Sequence, residues 1–179
     1  MNKKSTRIII FTVTLVMAAV LVVVDQVTKF YASQLPLGLR NPVINGFFYI
    51  TYCRNTGAAW SMFTGKVSIL AIISLVASFL IIFLLYCSRL KLVSASLGLI
   101  LAGAVGNLID RFSLGYVHDF LDFIIFGYDF PVFNVADMCV VIGAMLMVLT
   151  LIVSGKKTMF VFPWSKKQNA AEDNNKDQN

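Results

Sequence analysis

The sequence carries little charge for its length. Only 13% of its 179 residues are charged, half the roughly 25% found in soluble globular proteins. Hydrophobic residues make up 58% and the mean hydropathy is +0.79, so too little polar surface remains to cover a soluble core. These values exclude an ordinary soluble enzyme, a disordered chain and a disulfide-stapled secreted module. They indicate one compact polytopic membrane domain over residues 1–165.

Metal-ligating and thiol residues are also scarce. The chain has a single histidine, His118, and its three cysteines, Cys53, Cys87 and Cys139, form no CxxC pair. This set predicts neither a disulfide framework nor a recognisable metal site. The sequence also lacks an HExxH motif and a GxSxG motif, which argues against the common zinc and serine hydrolases. We therefore expect no metal and no other cofactor.

Four apolar runs are each long enough to cross a bilayer core of about 30 Å, because a helix rises 1.5 Å per residue. They cover residues 8–24, 67–87, 92–109 and 135–153. The first run follows basic residues as a signal peptide does, but no small-x-small cleavage site follows it, so we interpret it as an uncleaved helix. The fold class predicted is therefore a mainly α membrane protein with four transmembrane helices.

The lysines and arginines predict the orientation of these helices. With the N-terminus in the cytoplasm, ten of the 15 basic residues fall inside and five outside, in agreement with the positive-inside rule. Both termini are then cytoplasmic, and the long connections 25–66 and 111–133 are extracytoplasmic. The net charge of +6 reflects this distribution and indicates no nucleic-acid partner. Residues 166–179 are predicted to form a disordered polar cytoplasmic tail.

The two extracytoplasmic connections are both rich in aromatic residues. In the β-rich segment 35–63, Asn45-Gly46 is a hairpin-turn signal followed by an aromatic and β-branched run that favours a strand. Asn55-Thr56-Gly57 offers a second turn. We expect a small β-sheet at the membrane–water interface, where aromatic side chains such as Trp60 lie among the headgroups. The second segment, 111–133, is expected to be a loop or helix that follows the membrane surface.

Six aspartates are the only acidic residues before the tail. In the predicted topology all six lie at or beyond the extracytoplasmic ends of the spans: Asp25, Asp110, Asp119, Asp122, Asp129 and Asp137. Ionisable groups at membrane depth are costly and usually functional. Two aspartates sharing one proton in a low-dielectric site can activate water and hydrogen-bond a peptide carbonyl, which is peptide hydrolysis without a metal. The residues alone do not select the pair.

Several of these aspartates also have a structural interpretation. Asp25 can mark the end of the first helix. Asp110 and Arg111 can form an interfacial ion pair. Asp122 and Asp129 are expected to be solvated loop charges.

Asp137 also has a structural interpretation, and the cluster of six aspartates has two other functional interpretations. Asn134 can cap the fourth helix, with Asp137 in the first turn. An outer cluster of carboxylates also suits a small four-helix transporter or ion-binding protein, although its interfacial position argues against transport. A non-catalytic assembly factor that binds a partner through the aromatic sheet is a third hypothesis.

Five motifs occur in an order that characterises one family. They are Asp25-Gln26-Val27-Thr28-Lys29, Arg54-Asn55-Thr56-Gly57-Ala58-Ala59-Trp60-Ser61, Gly106-Asn107-Leu108-Ile109-Asp110-Arg111, Gly115-Tyr116-Val117-His118-Asp119-Phe120 and Phe130-Pro131-Val132-Phe133-Asn134-Val135-Ala136-Asp137. Over residues 8–153 the chain resembles lipoprotein signal peptidase, also called signal peptidase II. The resemblance implies a bacterial membrane aspartic protease that removes the signal peptide from prolipoproteins, immediately before a cysteine carrying diacylglycerol.

The resemblance also implies roles for individual residues. The implied catalytic pair is Asp119 and Asp137, and the implied supporting or substrate-binding residues are Asp25, Asn55, Asn107, Arg111 and Asn134. It implies a monomer in the bacterial cytoplasmic (inner) membrane, surrounded by phospholipid, with its site near the extracytoplasmic face. Two positions depart from the family pattern: His118 stands where an aliphatic residue is common, and Met138 where a small polar residue is common. We expect His118 to be an exposed loop residue.

The predicted topology can be tested with reporters and labels. A reporter that is active only in the cytoplasm should be active when fused after Asn179. Cysteines introduced near Asn41, but not near Ser88, should react with an impermeant thiol label in intact spheroplasts. A C-terminal reporter active only outside the cytoplasm, or equal labelling of the two regions, would contradict the orientation.

Overall fold

The structure is a computed structural model that describes residues 3–57, 65–154 and 159–162. Its elements, in chain order, are α1 (Lys3–Ala32), β1 (Arg40–Ile44), β2 (Phe48–Asn55), α2 (Val67–Cys87), α3 (Lys91–Leu114), β3 (Val117–Ile125), β4 (Tyr128–Asp129) and α4 (Val135–Ser154). Within these ranges four helices are long and apolar enough to span a bilayer, which confirms the predicted fold class. The predicted tail 166–179 and the interfacial Trp60 lie outside the described residues.

Two of the helices continue beyond the apolar runs that predicted them. The first run ends at residue 24 but α1 continues to Ala32, and the third ends at 109 but α3 continues to Leu114. The added turns contain Asp25, Lys29 and Arg111. The predicted spans stopped before these polar residues because hydropathy measures how well side chains suit a lipid environment. A helix continues as long as its backbone hydrogen bonds do, whether or not its side chains are apolar.

The central helix of the bundle is α3. It packs against α1, α2 and α4, and it is the most buried of the four spans, while the other three expose long apolar stripes. Glycines permit this central position. A Cβ at Gly103 would collide with the carbonyl oxygen of Ala136, and one at Gly106 would lie 2.6 Å from Oδ2 of Asp25. Small residues therefore allow α3 to approach α4 and α1 closely.

One antiparallel sheet, in the order β1-β2-β3-β4, covers one end of the bundle. We call this the sheet end. The predicted hairpin is confirmed: Asn45 and Gly46 lie in the turn between β1 and β2, and Gly46 has a φ of +76°, which glycine adopts without strain. The second predicted turn follows β2, where the Asn55 side-chain oxygen accepts a hydrogen bond from the Gly57 amide at 2.8 Å.

The second long connection contains two strands, β3 and β4, which corrects the expectation of a loop or helix. Segment 111–133 begins inside α3 and continues as β3, which pairs antiparallel with β2 and places Cys53 opposite Asp119. The two connections therefore form a single sheet. The sequence of this segment did not reveal the strand, because β2, which forms the backbone hydrogen bonds with β3, lies far away along the chain.

Asp122 is buried, contrary to the expectation of a solvated loop charge. Its side chain is 1% exposed, and its Oδ2 accepts hydrogen bonds from Arg40 Nε at 2.8 Å and from Thr51 Oγ1 at 2.6 Å. Arg40 is on β1 and Asp122 on β3, so the pair links two strands across β2. Asp129 fits the expectation, because its side chain is 65% exposed where it meets Arg40.

We expect Asp122→Asn to destabilise the fold and Asp129→Asn to have little effect. The first change weakens buried hydrogen bonds to a charged group, worth about 1–3 kcal/mol of the free energy of unfolding. The second removes a solvent-exposed pair, worth at most about 1 kcal/mol. Thermal unfolding midpoints of both variants in one detergent at neutral pH would measure this. Equal midpoints would contradict the structural role of Asp122.

Candidate active site

A cavity of about 1000 Å³ lies at the sheet end of the bundle. Its lining includes a polar set, which we call the polar wall: Asn55, Asn107, Arg111, Asp119 and Asp137. It also includes an apolar set, which we call the apolar wall: Phe130, Phe133, Met138, Val141 and Ile142. The cavity therefore offers ionisable groups and an apolar surface to the same bound molecule.

Asp119 reaches the cavity from β3 and is almost fully buried. Both of its carboxyl oxygens accept a hydrogen bond from a side-chain amide. Asn55 Nδ2, at the end of β2, donates to Oδ2 at 2.8 Å, and Asn134 Nδ2, just before α4, donates to Oδ1 at 2.7 Å. The carboxyl group is thus held in one orientation by two different parts of the chain.

Asp137 reaches the cavity from the first turn of α4. Its Oδ2 accepts a hydrogen bond from the Asn134 backbone amide at 3.2 Å, while Asn134 Oδ1 accepts one from the Asp137 amide at 2.9 Å. This reciprocal pair is a capping box, so the helix-cap interpretation is confirmed. The cap leaves Asp137 Oδ1 free to accept from Asn107 Nδ2 at 2.8 Å. The same two residues therefore cap the helix and line the site.

Two asparagines connect the carboxyl groups of Asp119 and Asp137. The fully buried Asn134 donates from Nδ2 to Asp119 Oδ1 and also to Asn107 Oδ1, the latter at 3.1 Å. Asn107 in turn donates to Asp137. Of the residues that the family resemblance implied, four therefore form one hydrogen-bonded chain, and Asn55 extends it at the Asp119 end.

The environment of Asp119 raises the pKa of its carboxyl group to about 7. The main cause is burial, which penalises the charged form, and the second is the nearby charge of Asp137. The hydrogen bonds from Asn55 and Asn134 act in the opposite direction, because they favour the carboxylate. Asp119 can therefore hold a proton near neutral pH, whereas an ordinary aspartate cannot.

A buried lysine, Lys29, lies behind the polar wall of the cavity, where it contacts Asn107. The Lys29 side chain is 1% exposed, and its Nζ lies 2.8 Å from Asp25 Oδ2 and 3.2 Å from Asp110 Oδ2. It also donates to Asn107 Oδ1 at 2.9 Å. Asp110 thus pairs with Lys29, and not with Arg111 as one structural interpretation of the sequence had it.

The sequence interpretation did not select Lys29 as a site residue. A signal was present, because Asp25 and Lys29 are spaced i, i+4 at the end of an apolar run and so share a helix face. Asp25 supports the site without lining the cavity. Its Oδ1 accepts a hydrogen bond from the Ala136 backbone amide at 2.8 Å and so satisfies a free donor at the start of α4.

The two departures from the family pattern occupy different places. His118 is on β3 and its side chain is 12% exposed, so the expectation of an exposed loop residue is wrong. Its ring stacks on Tyr52 at 5.5 Å, and its backbone amide donates to Asp110 Oδ2 at 3.0 Å. Met138 lines the apolar wall of the cavity.

Arg111, which the family resemblance implied as a supporting residue, also lines the cavity. Its Nη2 donates a hydrogen bond to the Gly57 carbonyl oxygen at 3.4 Å.

Comparison with known proteins assigns the family. The family model described as signal peptidase (SPase) II matches residues 17–153. The chain belongs to the signal peptidase II family. It is similar to the lipoprotein signal peptidase of Bacillus pumilus (strain SAFR-032), with 39% identity over 80% of this chain and 94% of that protein. The lipoprotein signal peptidase of Staphylococcus haemolyticus (strain JCSC1435) is 40% identical over 79% of this chain and 91% of its own length.

Solved structures agree with the signal peptidase II assignment. A bacterial membrane enzyme determined by the in meso method at 2.3 Å resolution is 36% identical and superposes with a TM-score of 0.75, covering 84% of this chain and 95% of that one. A second such structure, at 1.9 Å resolution, is 37% identical with a TM-score of 0.72 and covers 82% and 95%. This member of the family is therefore a multi-pass membrane peptidase, and the resemblance inferred from the motifs is confirmed.

The expectation that the protein binds no metal stays a prediction. In the part of the chain that the structure describes, no group of three or more His, Cys, Asp or Glu side chains is placed to hold a metal ion.

The raised pKa of Asp119 makes stability depend on pH. The folded-state pKa of about 7 lies above the value of about 3.9 for an unfolded aspartate, so between these values the folded state binds more protons. Stability due to this group is therefore lost as pH rises from 4 to 7. We expect Asp119→Asn to have a midpoint close to that of the wild type at pH 4.5 and a higher one at pH 8.

The comparison is made by thermal unfolding across pH 4.5–8, with Asp129→Asn as the matched control. The control should run parallel to the wild type, because Asp129 is exposed. A difference between Asp119→Asn and the wild type that stays constant with pH would show that the pKa of Asp119 is not raised.

Proposed function

We propose that this peptidase removes the signal peptide from bacterial prolipoproteins, cutting immediately before a cysteine that carries diacylglycerol. Asp119 and Asp137 are the proposed catalytic pair. The observation that carries the proposal is the linkage of these two buried carboxyl groups, through Asn134 and Asn107, at the polar wall of a cavity whose other wall is apolar. The activity for which the two relatives are named, lipoprotein signal peptidase, supports this substrate class.

The two carboxyl groups have different proposed roles because their surroundings differ. Asp119 holds the shared proton, which its pKa of about 7 allows near neutral pH. Asp137 acts as the carboxylate, because it lies in the first turn of α4, at a helix N-terminus where a negative charge is stabilised. Its Oδ2 also accepts a hydrogen bond from the Asn134 backbone amide. One proton on the pair thus gives an acid and a base in one site.

The proposed reaction uses this arrangement for peptide hydrolysis. Asp137 takes a proton from water as the water oxygen attacks the carbonyl carbon before the lipidated cysteine. Asp119 donates its proton to the carbonyl oxygen as that oxygen gains charge. When the intermediate collapses, Asp119 recovers its proton, the C–N bond breaks, and the cysteine amine leaves with the proton held by Asp137.

The supporting residues orient the pair and its substrate in this proposal. Asn55, Asn107 and Asn134 hold the carboxyl groups by the hydrogen bonds described above. Asp25 satisfies the first turn of α4, from which Asp137 projects. Arg111 extends along the cavity towards the residues that follow β2, where its guanidinium can contact a peptide carbonyl.

The apolar wall explains why such a peptidase lies in a membrane. Met138, Val141 and Ile142 follow one side of α4 away from the carboxyl groups, and all three are exposed. Acyl chains of a substrate can thus remain among lipid and apolar side chains while the peptide bond reaches the aspartates. By the positive-inside rule the sheet end is extracytoplasmic. The proposed partners are the lipidated precursor and membrane phospholipid, and the proposed working unit is a monomer.

Asn replacements test the catalytic pair. Asp119→Asn and Asp137→Asn should each lower the turnover of a purified diacylglyceryl-modified precursor by at least about 100-fold, because each removes general acid–base function. Binding of the lipidated precursor should persist, since Asn has nearly the size of Asp. Asp129→Asn is the matched control and should retain turnover, because Asp129 is exposed and outside the cavity.

Two further arms test the chemistry and the substrate class. Chelators should leave turnover unchanged, and the same precursor without diacylglycerol should be cleaved poorly. Substantial turnover by either Asp119→Asn or Asp137→Asn would refute the catalytic pair, and loss of activity with a chelator would refute the metal-free reaction.

A further inference from the structure

We infer that Lys29 is a positioning residue for the peptidase reaction: its ammonium group sets the orientation of the Asn107 amide, which in turn aims Asp137 at the substrate. The inference rests on the proposed function. It concerns a residue that does not line the cavity and would act only through Asn107.

All the hydrogen-bonding capacity of the Lys29 ammonium is used inside the protein. An ammonium group has three N–H donors, and Nζ has three partners: Asp25 Oδ2, Asp110 Oδ2 and Asn107 Oδ1. The first two partners are carboxylates, which together carry more than enough charge to neutralise the ammonium. The third is a neutral amide oxygen, and charge balance does not require that contact.

The contact with Lys29 determines which end of the Asn107 amide faces Asp137. Asn107 Oδ1 accepts from Lys29 Nζ at 2.9 Å and from Asn134 Nδ2 at 3.1 Å. A flipped amide would direct its NH₂ group at two donors and its oxygen at the Asp137 carboxylate. Lys29 and Asn134 therefore keep Asn107 Nδ2 on Asp137 Oδ1, at 2.8 Å. Without Lys29, one of the two donors that fix this orientation is lost.

A purely structural role for Lys29 is the competing explanation, because its cluster joins α1 and α3 and adjoins α4. Loss of one partner from a buried ion pair is strongly destabilising, so a single neutral replacement of Lys29 would not separate the two explanations. Two neutral replacements that differ only in a hydrogen-bond donor, compared in an Asp110→Asn background, do separate them. Asp110→Asn removes one carboxylate while Lys29 keeps Asp25 and Asn107, and the His118 amide can still donate to the new side-chain oxygen.

The test compares three variants in that background. Asp110→Asn alone is the control, which keeps the Lys29–Asn107 contact and should retain kcat within about threefold. Lys29→Met with Asp110→Asn leaves Asp25 as the one charged group of the cluster, which is the net charge of the wild-type cluster, but it has no donor to Asn107. Its kcat should be about 10- to 100-fold below the control with KM unchanged, because the reacting groups are misaligned. Lys29→Gln with Asp110→Asn restores an uncharged donor and should recover part of the lost kcat.

Folding is measured on the same samples through the thermal midpoint and the binding of lipidated precursor. A reduced kcat with normal KM, binding and midpoint supports positioning, since a merely structural role would change the folded fraction instead. Equal kcat in the Met-containing variant and the control would overturn the inference. Failure of both the Met- and Gln-containing variants to fold would also overturn it, in favour of a structural role.

The proposed function fails separately. A wild-type protein that does not cleave the lipidated precursor would refute the proposed function and with it the role of Lys29. Cleavage by the wild type, with equal kcat in the Met-containing variant and its control, would refute only the role of Lys29.

Discussion

The buried ammonium of Lys29, shared by Asp25 and Asp110, is the interaction on which the sheet end depends. Three charges removed from water are costly unless they are paired and hydrogen-bonded. The cluster meets that condition by joining α1 to α3, and the second oxygen of Asp25 then satisfies a backbone donor at the start of α4. The charges that a membrane helix would otherwise avoid therefore determine where three helices meet.

The polar wall of the cavity combines structural and chemical roles in the same residues. Asn134 and Asp137 form a helix cap through one set of atoms, while Asn134 Nδ2 and Asp137 Oδ1 belong to the network between the two carboxyl groups. A capped helix holds its first turn rigidly. An aspartate on that turn is thus held in place by the backbone of α4, and Asp119 is held in place by the sheet.

The sequence interpretation succeeded where the signal was local. Apolar length predicted the four spans, Asn45-Gly46 predicted the hairpin, and the spacing of Asn134 and Asp137 predicted a helix cap. It failed where distant residues decided the outcome. Segment 111–133 became a strand because β2 supplied its partner, and Asp122 became buried because Arg40 and Thr51 approach it from β1 and β2.

The sequence by itself determined the class of molecule, since its apolar runs exceed the thickness of a bilayer core, and the order of five motifs determined the family. Only the tertiary structure decided which polar residues meet. Asp110 is paired with the Lys29 ammonium, although its neighbour in sequence, Arg111, was one possible partner. Asp119 belongs to the same hydrogen-bond network as Asp137. The physical reason is that burial and hydrogen bonding depend on groups brought together from separate helices and strands, whereas hydropathy and turn propensity are properties of neighbouring residues.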